Sequence, residues 1–109
     1  MFGSPPAALE TAILLAVVHL GEDAYGAAVR RDVSARRGRE YAVGAIHTTL
    51  QRLEDKGLLT SWTGDPLPVR GGRARRYFRL TAAGADALNH ARTAARQLWQ
   101  APDLGLEPA

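Results

Sequence analysis

Three successive runs with helical periodicity, two short alternating runs parted by a Gly- and Pro-rich basic connection, and a fourth helical run predict a mostly α fold with a small β-hairpin, in the order of a winged helix-turn-helix followed by a C-terminal helix. The charge distribution points the same way. Between Ala24 and Arg79 twelve Arg and Lys face five Asp and Glu, whereas the remainder holds two against six, so a basic middle lies between acidic ends. A protein with one surface on a polyanion and the rest repelled from it needs that pattern. Thirteen of the fourteen basic residues are Arg, which favours bidentate contacts to phosphates and bases, although high genomic GC content produces the same bias.

The first helix is expected from about Ala7 to Leu20, after a frayed lead-in over residues 1–6 that holds Gly, Ser and two prolines. Leu9, Ile13, Ala16 and Leu20 share one stripe, and Leu15 and Val18 widen it beyond what one small core needs, so the surplus predicts a second apolar partner. Gly21 ends this helix. Asp23 is placed to cap a second one, Ala24 to Arg37, with Tyr25, Val29 and Val33 on its buried face and Arg30, Arg31, Arg36 and Arg37 on the other. After a loop with Gly38 and Arg39 comes Val43 to Gly57, the stretch on which the rest depends. At 100° per residue, Ile46, Leu50 and Leu53 fall within about 60° of one another. Gly44, His47, Thr48 and Gln51 lie opposite, flanked by Arg52, with Asp55 further along. Short residues at the start of a helix and hydrogen-bonding groups at its middle suit entry into a DNA major groove, and a face that meets only water is the alternative.

Leu58 to Thr63 and Ala74 to Leu80 read as strands, the second with Phe78 and Leu80 inward and Arg75, Tyr77 and Arg79 outward. The basic connection from Gly64 to Arg73 is too long for a tight turn and should protrude. Thr81 caps the last helix, Ala82 to Gln100, whose Leu88, Ala91, Ala95, Leu98 and Trp99 again exceed one small core. The expected organisation is a winged unit over residues 7–81, a dimerisation helix over 82–100 and a loose tail over 101–109.

Composition narrows the function classes. At 109 residues the chain makes one small domain that partnering would help stabilise. It has no cysteine, so disulfides and thiolate metal sites are excluded. The apolar run Ala12 to His19 is too short for a bilayer and follows no basic segment, so a soluble, cytoplasmic protein without a membrane partner is expected. His19, His47 and His90 fall on three separate helices with no carboxylate pattern of a metal site. No nucleophile motif, phosphate loop or paired carboxylates stand out, which argues against an enzyme and leaves no cofactor to expect.

The segments LLAVVHLGEDAYGAAVRRDV, VGAIHTTLQRLEDKGLL and GGRARRYFRLTAAG, together most of Leu14 to Gly84, resemble the PadR family of bacterial transcriptional regulators. AYG, the central RLE-x-x-GLL and GGRxRRYxxLTxxG carry the resemblance in combination, and the length is similar to that of the family's short branch. The resemblance implies a homodimeric DNA-binding regulator, usually a repressor, built on a winged helix and dimerised through one C-terminal helix. It also implies a small hydrophobic effector in some members, lined at the dimer centre by a tryptophan on that helix, for which Trp99 is the candidate here. Two positions depart from the family. Ala42 stands where Ser or Thr often caps the recognition helix, a difference of roughly 0.5 to 2 kcal/mol. His47 and Thr48 stand where Tyr and Pro are favoured, so the family's tyrosine contact to DNA does not carry over.

The candidate DNA contacts are therefore Tyr25, Arg30, Gly44, His47, Thr48, Gln51, Arg52, Arg70, Arg73, Arg75 and Arg76, and the candidate dimer or effector residues are Leu9, Ile13, Leu88, Ala95, Leu98 and Trp99. Tyr25 is placed either to reach a phosphate or to cover the core, and Arg30 and Arg31 either to meet phosphates or to coat a helix. The leading reading is a sequence-specific regulator on double-stranded DNA with a palindromic operator, with helix 43–57 in the major groove and the wing, 64–76, on the backbone or minor groove. A winged-helix module that binds protein and not DNA is the alternative. It would carry an apolar or acidic recognition face.

Overall fold

The computed structural model describes residues 8–65, 71 and 74–100. Helix α1 is Ala8–Leu20, α2 Gly26–Arg37, α3 Val43–Asp55, and α4 Ala82–Trp99; strands β1, Leu59–Thr63, and β2, Arg76–Leu80, form one antiparallel hairpin between α3 and α4. The expected order is present. Ile13, Leu14, Val29, Val33, Ile46, Leu50 and Leu53 are the largest fully buried side chains, so three helices meet in one core, and Leu59 and Phe78 extend it under the hairpin. Burying side chains of this size stabilises the fold by about 1.5 to 3 kcal/mol each.

Ile13 corrects the sequence reading. It was expected at an interface but is 0% exposed in the core of its own chain, because the α1 stripe runs through Ile13, Ala16 and Val17 and turns Leu15 and Val18 to the surface. Leu9 and Leu88 also pack against that core, each partly buried.

The start of α2 is a second correction. Gly21 to Asp23 form a 3-10 turn and Asp23 caps nothing; the helix opens only at Gly26. Tyr25 is instead extended against β2, where the Phe78 N–H donates to the Ala24 carbonyl at 2.8 Å and Tyr25 bridges Tyr77. An edge strand gains a hydrogen-bonded neighbour this way. Helical periodicity could not register it, since Tyr25 lies at the correct spacing from Val29 for either conformation.

Helix α3 stops at Asp55, two residues before the expected end. The Leu58 N–H donates to the Leu53 carbonyl and the Gly57 N–H to that of Glu54, both at 2.9 Å, with Gly57 at a φ of 78°. This is the paired closure that favours glycine, and it turns the chain sharply into β1. At the other end Ala42 offers no side-chain cap.

Two contacts fix α3 and α4 on this frame. Lys56, the one lysine of the chain, donates to both oxygens of the buried Glu10 carboxylate, at 2.9 and 3.2 Å, tying the end of α3 to the start of α1. Thr81 accepts from the Gly84 N–H at 3.0 Å, so it caps α4 as expected, and its hydroxyl donates to the Gly57 carbonyl. A Cβ on Gly84 would overlap the Leu58 carbonyl oxygen. The first turn of α4 is thereby seated on the α3–β1 corner.

Candidate nucleic-acid interface

Helix α3 buries Ile46, Thr49, Leu50 and Leu53. Gly44, His47, Thr48, Gln51, Arg52 and Asp55 are all exposed. The stripe is wider than expected by Thr49, whose hydroxyl donates to the Ala45 carbonyl at 2.8 Å and so needs no other partner. On the exposed face the Gln51 amide donates to the Asp55 carboxylate at 3.0 Å. That bond fixes the side chain of Gln51 along the helix, and Asp55 brings an acceptor to an otherwise basic surface.

The arginines divide by partner. Arg30 donates to the Tyr41 carbonyl at 3.3 Å and lies 3.7 Å from Glu40, and Arg76 lies 3.2 Å from Glu54, so both have acidic neighbours. Arg76 was expected as a phosphate contact; the structure commits it to α3, because β2 leaves the core at this residue and brings it opposite Glu54. Arg31 donates to the Tyr25 hydroxyl at 3.1 Å, and the Arg75 guanidinium lies 4.0 Å over the centre of the Tyr25 ring. Among the described residues neither has a carboxylate partner. Tyr25 thus gathers two cations whose charge stays available, one on its hydroxyl and one on its face. Arg70 and Arg73 lie outside the described residues.

Sequence reasoning missed the support behind this pair. Tyr77 packs edge-on to Tyr25 and stacks on Trp62, both with ring centroids 5.9 Å apart, and Arg79 lies 5.1 Å over Trp62. The ladder Arg79, Trp62, Tyr77, Tyr25, Arg75 runs along the outer face of the hairpin to the start of α2. Its signal was present in the strand alternation, which sets Trp62 and Tyr77 on one face, but their opposition depends on register. Arg39 was also passed over. It stacks 4.6 Å over the Tyr41 ring in the turn between α2 and α3, and Tyr41 accepts from Arg37 at 2.6 Å.

A different surface lies between α1 and α4, where Leu15, Val18, Leu80, Leu88 and Ala95 line an apolar groove. Leu98 and Trp99 continue from it at 74% and 87% exposed.

The model of the transcriptional regulator PadR-like family matches residues 14–90. The chain belongs to the PadR-like family. It is 38% identical over 89 residues to the transcriptional regulator Rv3488 of Mycobacterium tuberculosis, covering 80% of this chain and 78% of that one. A PadR family regulator from Eggerthella lenta superposes with a TM-score of 0.63 at 27% identity, over 82% of this chain and 75% of the other. A PadR family regulator from Clostridium difficile shares the fold, with a TM-score of 0.69 at 23% identity over 86% and 93% of the two chains. A PadR-like chain is a transcriptional regulator and not an enzyme. Among the described residues no helix is long and apolar enough to cross a membrane.

Proposed function

We propose that this PadR-like regulator is a dimeric, sequence-specific repressor that reads an operator with α3 in the major groove and grips the flanking backbone with Tyr25, Arg31 and Arg75. One observation carries the reading: α3 exposes the polar side chains of His47, Thr48, Gln51 and Arg52 beside two arginines that have no carboxylate partner among the described residues. Phosphates supply the anion those arginines lack, and the polar face meets base edges. On this reading Gly44 permits close approach, His47, Thr48, Gln51 and Arg52 face the bases or adjoining phosphates, and Arg30 from α2 and Arg39 from the α2–α3 turn flank the backbone. The basic residues Arg70 and Arg73 of the wing connection join them on the backbone or minor groove.

The dimer half of the proposal rests on Leu15, Val18, Leu98 and Trp99, which are large, apolar and exposed in one chain. Packing α4 of one copy into the α1–α4 groove of another covers them about a two-fold axis and calls for a palindromic operator. Residues 82–100 then serve the dimer, 7–81 the DNA, although Leu88 also serves its own core. A small hydrophobic effector fits beside Trp99 at the centre of such a dimer. The protein–protein alternative is not favoured, because no apolar or acidic patch replaces the polar face of α3.

A mobility-shift titration on the DNA upstream of the protein's own gene, repeated at several salt concentrations, tests this. Tight binding that falls steeply with salt and discriminates against random DNA is expected. Binding that ignores salt, or none at all, would return the chain to the interaction-module reading.

A further inference from the structure

Tyr77 lies opposite Trp62 across the hairpin, and the two rings stack with centroids 5.9 Å apart and planes 18° from parallel. A second boundary of the Tyr77 ring is backbone: a Cβ on Gly64, the residue after β1, would come within 2.6 Å of it, so glycine leaves the ring its place. The Gly64 N–H also donates to the Arg75 carbonyl at 2.7 Å. Held in this way, Tyr77 meets Tyr25 in a T-shaped contact at 70°, and Tyr25 in turn carries Arg75 over its face and Arg31 on its hydroxyl. Tyr77 does not belong to the buried core, so filling the core does not account for this packing. A guanidinium on a long stem loses rotamer freedom when it grips a phosphate, which costs roughly two- to tenfold in affinity for each side chain ordered. One already stacked on a ring has given up part of that freedom before DNA arrives.

We propose that Tyr77, backed by Trp62 and Gly64, is a positioning residue for DNA binding: it fixes the Tyr25 ring, and through that ring Arg31 and Arg75, in the free protein, without itself meeting DNA. The gain in affinity rests on the DNA-binding reading above. The fixing of Arg75 does not, because it is a property of the free chain. A Tyr77 that only fills space would matter to stability and leave the affinity of the folded chain unchanged. A Tyr77 that positions phosphate contacts sets affinity without setting sequence preference, since phosphates carry no sequence information directly.

Two measurements on the full chain test this. In NMR spectra of the free protein, the Arg75 side-chain protons should resonate upfield of their ordinary position, as a guanidinium 4.0 Å over a ring requires. Tyr77→Leu should move them back towards it, and Tyr77→Phe, which keeps the ring, should not. In fluorescence anisotropy, Tyr77→Leu should weaken operator and random DNA by the same factor, roughly two- to tenfold, and Tyr77→Phe should weaken neither. In a Tyr25→Leu background, adding Tyr77→Leu should cost nothing further, because the two residues act in series. Gly64→Ala displaces the Tyr77 ring without removing it, so it should reproduce the Tyr77→Leu result in both measurements and replaces that variant if it does not fold. Arg75 signals unmoved by Tyr77→Leu and Gly64→Ala, losses that add fully to that of Tyr25→Leu, or a loss with Tyr77→Phe as large as with Tyr77→Leu would each overturn the proposal, the last by putting the hydroxyl itself on DNA. A wild-type chain that binds no DNA is instead a failure of the DNA reading, and the Arg75 signals then decide by themselves whether Tyr77 fixes Arg75.

Discussion

Arg76 and Glu54 form an ion pair 3.2 Å long that joins β2 to α3, and Ser61 completes it by accepting from Arg76 at 3.0 Å and donating to Glu54 at 2.7 Å. The hairpin is therefore tied to the flank of the same helix whose exposed face is proposed to read DNA. Both charged groups are partly open to solvent, so the pair contributes no more than about 1 kcal/mol to stability. Its effect is geometric, because it holds the start of β2 beside α3.

Arg75 and Arg76 should behave differently despite being neighbours. Arg75→Ala is expected to lower the slope of log K against log salt by nearly one unit, for random and operator DNA alike. Arg76→Ala should leave the slope unchanged. Fluorescence anisotropy across a salt series reads both, and an equal loss of slope in the two variants would put Arg76 on a phosphate.

Gln51→Ala should act on sequence preference. If the amide reads a base edge, the variant loses roughly 1 to 3 kcal/mol on the operator and little on random DNA. The bond to Asp55 makes Asp55→Ala informative beside it, since that change removes the acceptor that holds Gln51 along the helix. Equal losses on both DNAs would move Gln51 to the backbone.

Gly84→Ala should destabilise the fold by roughly 1 to 3 kcal/mol, as overpacking does. The obstructing atom is the Leu58 backbone carbonyl, which a rotamer change cannot move aside. Gly44→Ala is the control, because a Cβ there meets nothing within 4 Å. Thermal unfolding of both variants checks this; a Gly84→Ala protein as stable as Gly44→Ala would mean that α4 is free to shift on the core.

Local patterns made most of this architecture legible. The Ile46, Leu50 and Leu53 stripe, the Thr81 cap and the α3 stop near Gly57 each depend on residues within one or two turns, so periodicity and capping rules reach them. What escaped depends on pairing across the chain. Tyr25 was placed inside α2 because its partner, Tyr77, is 52 positions away, and Ile13 was placed at an interface because an apolar residue on α1 looks the same whether its own core or another chain covers it. Arg76 belongs to the same class: its charge was plain, but the carboxylate that engages it lies on another element.

Trp99 gives the strongest test of assembly. It ends α4 at 87% exposed, beside Leu98 at 74%, and the groove lined by Leu15, Val18 and Leu88 lies along the same helix. Large aromatics bury 150–250 Å² and contribute heavily to interfaces, so an isolated chain that presents one to water has a surface suited to another copy. The other tryptophan, Trp62, stacks on Tyr77 and would obscure the signal, which makes a Trp62→Phe background useful. In that background Trp99 emission should move to shorter wavelength as protein concentration rises, in step with the mass from sedimentation. Trp99→Ala should sediment toward monomer and bind operator more weakly, with its unfolding temperature as a separate check that the winged core is intact. A variant that stays fully dimeric, together with a concentration-independent, water-exposed emission from Trp99, would show that this end of α4 takes no part in assembly.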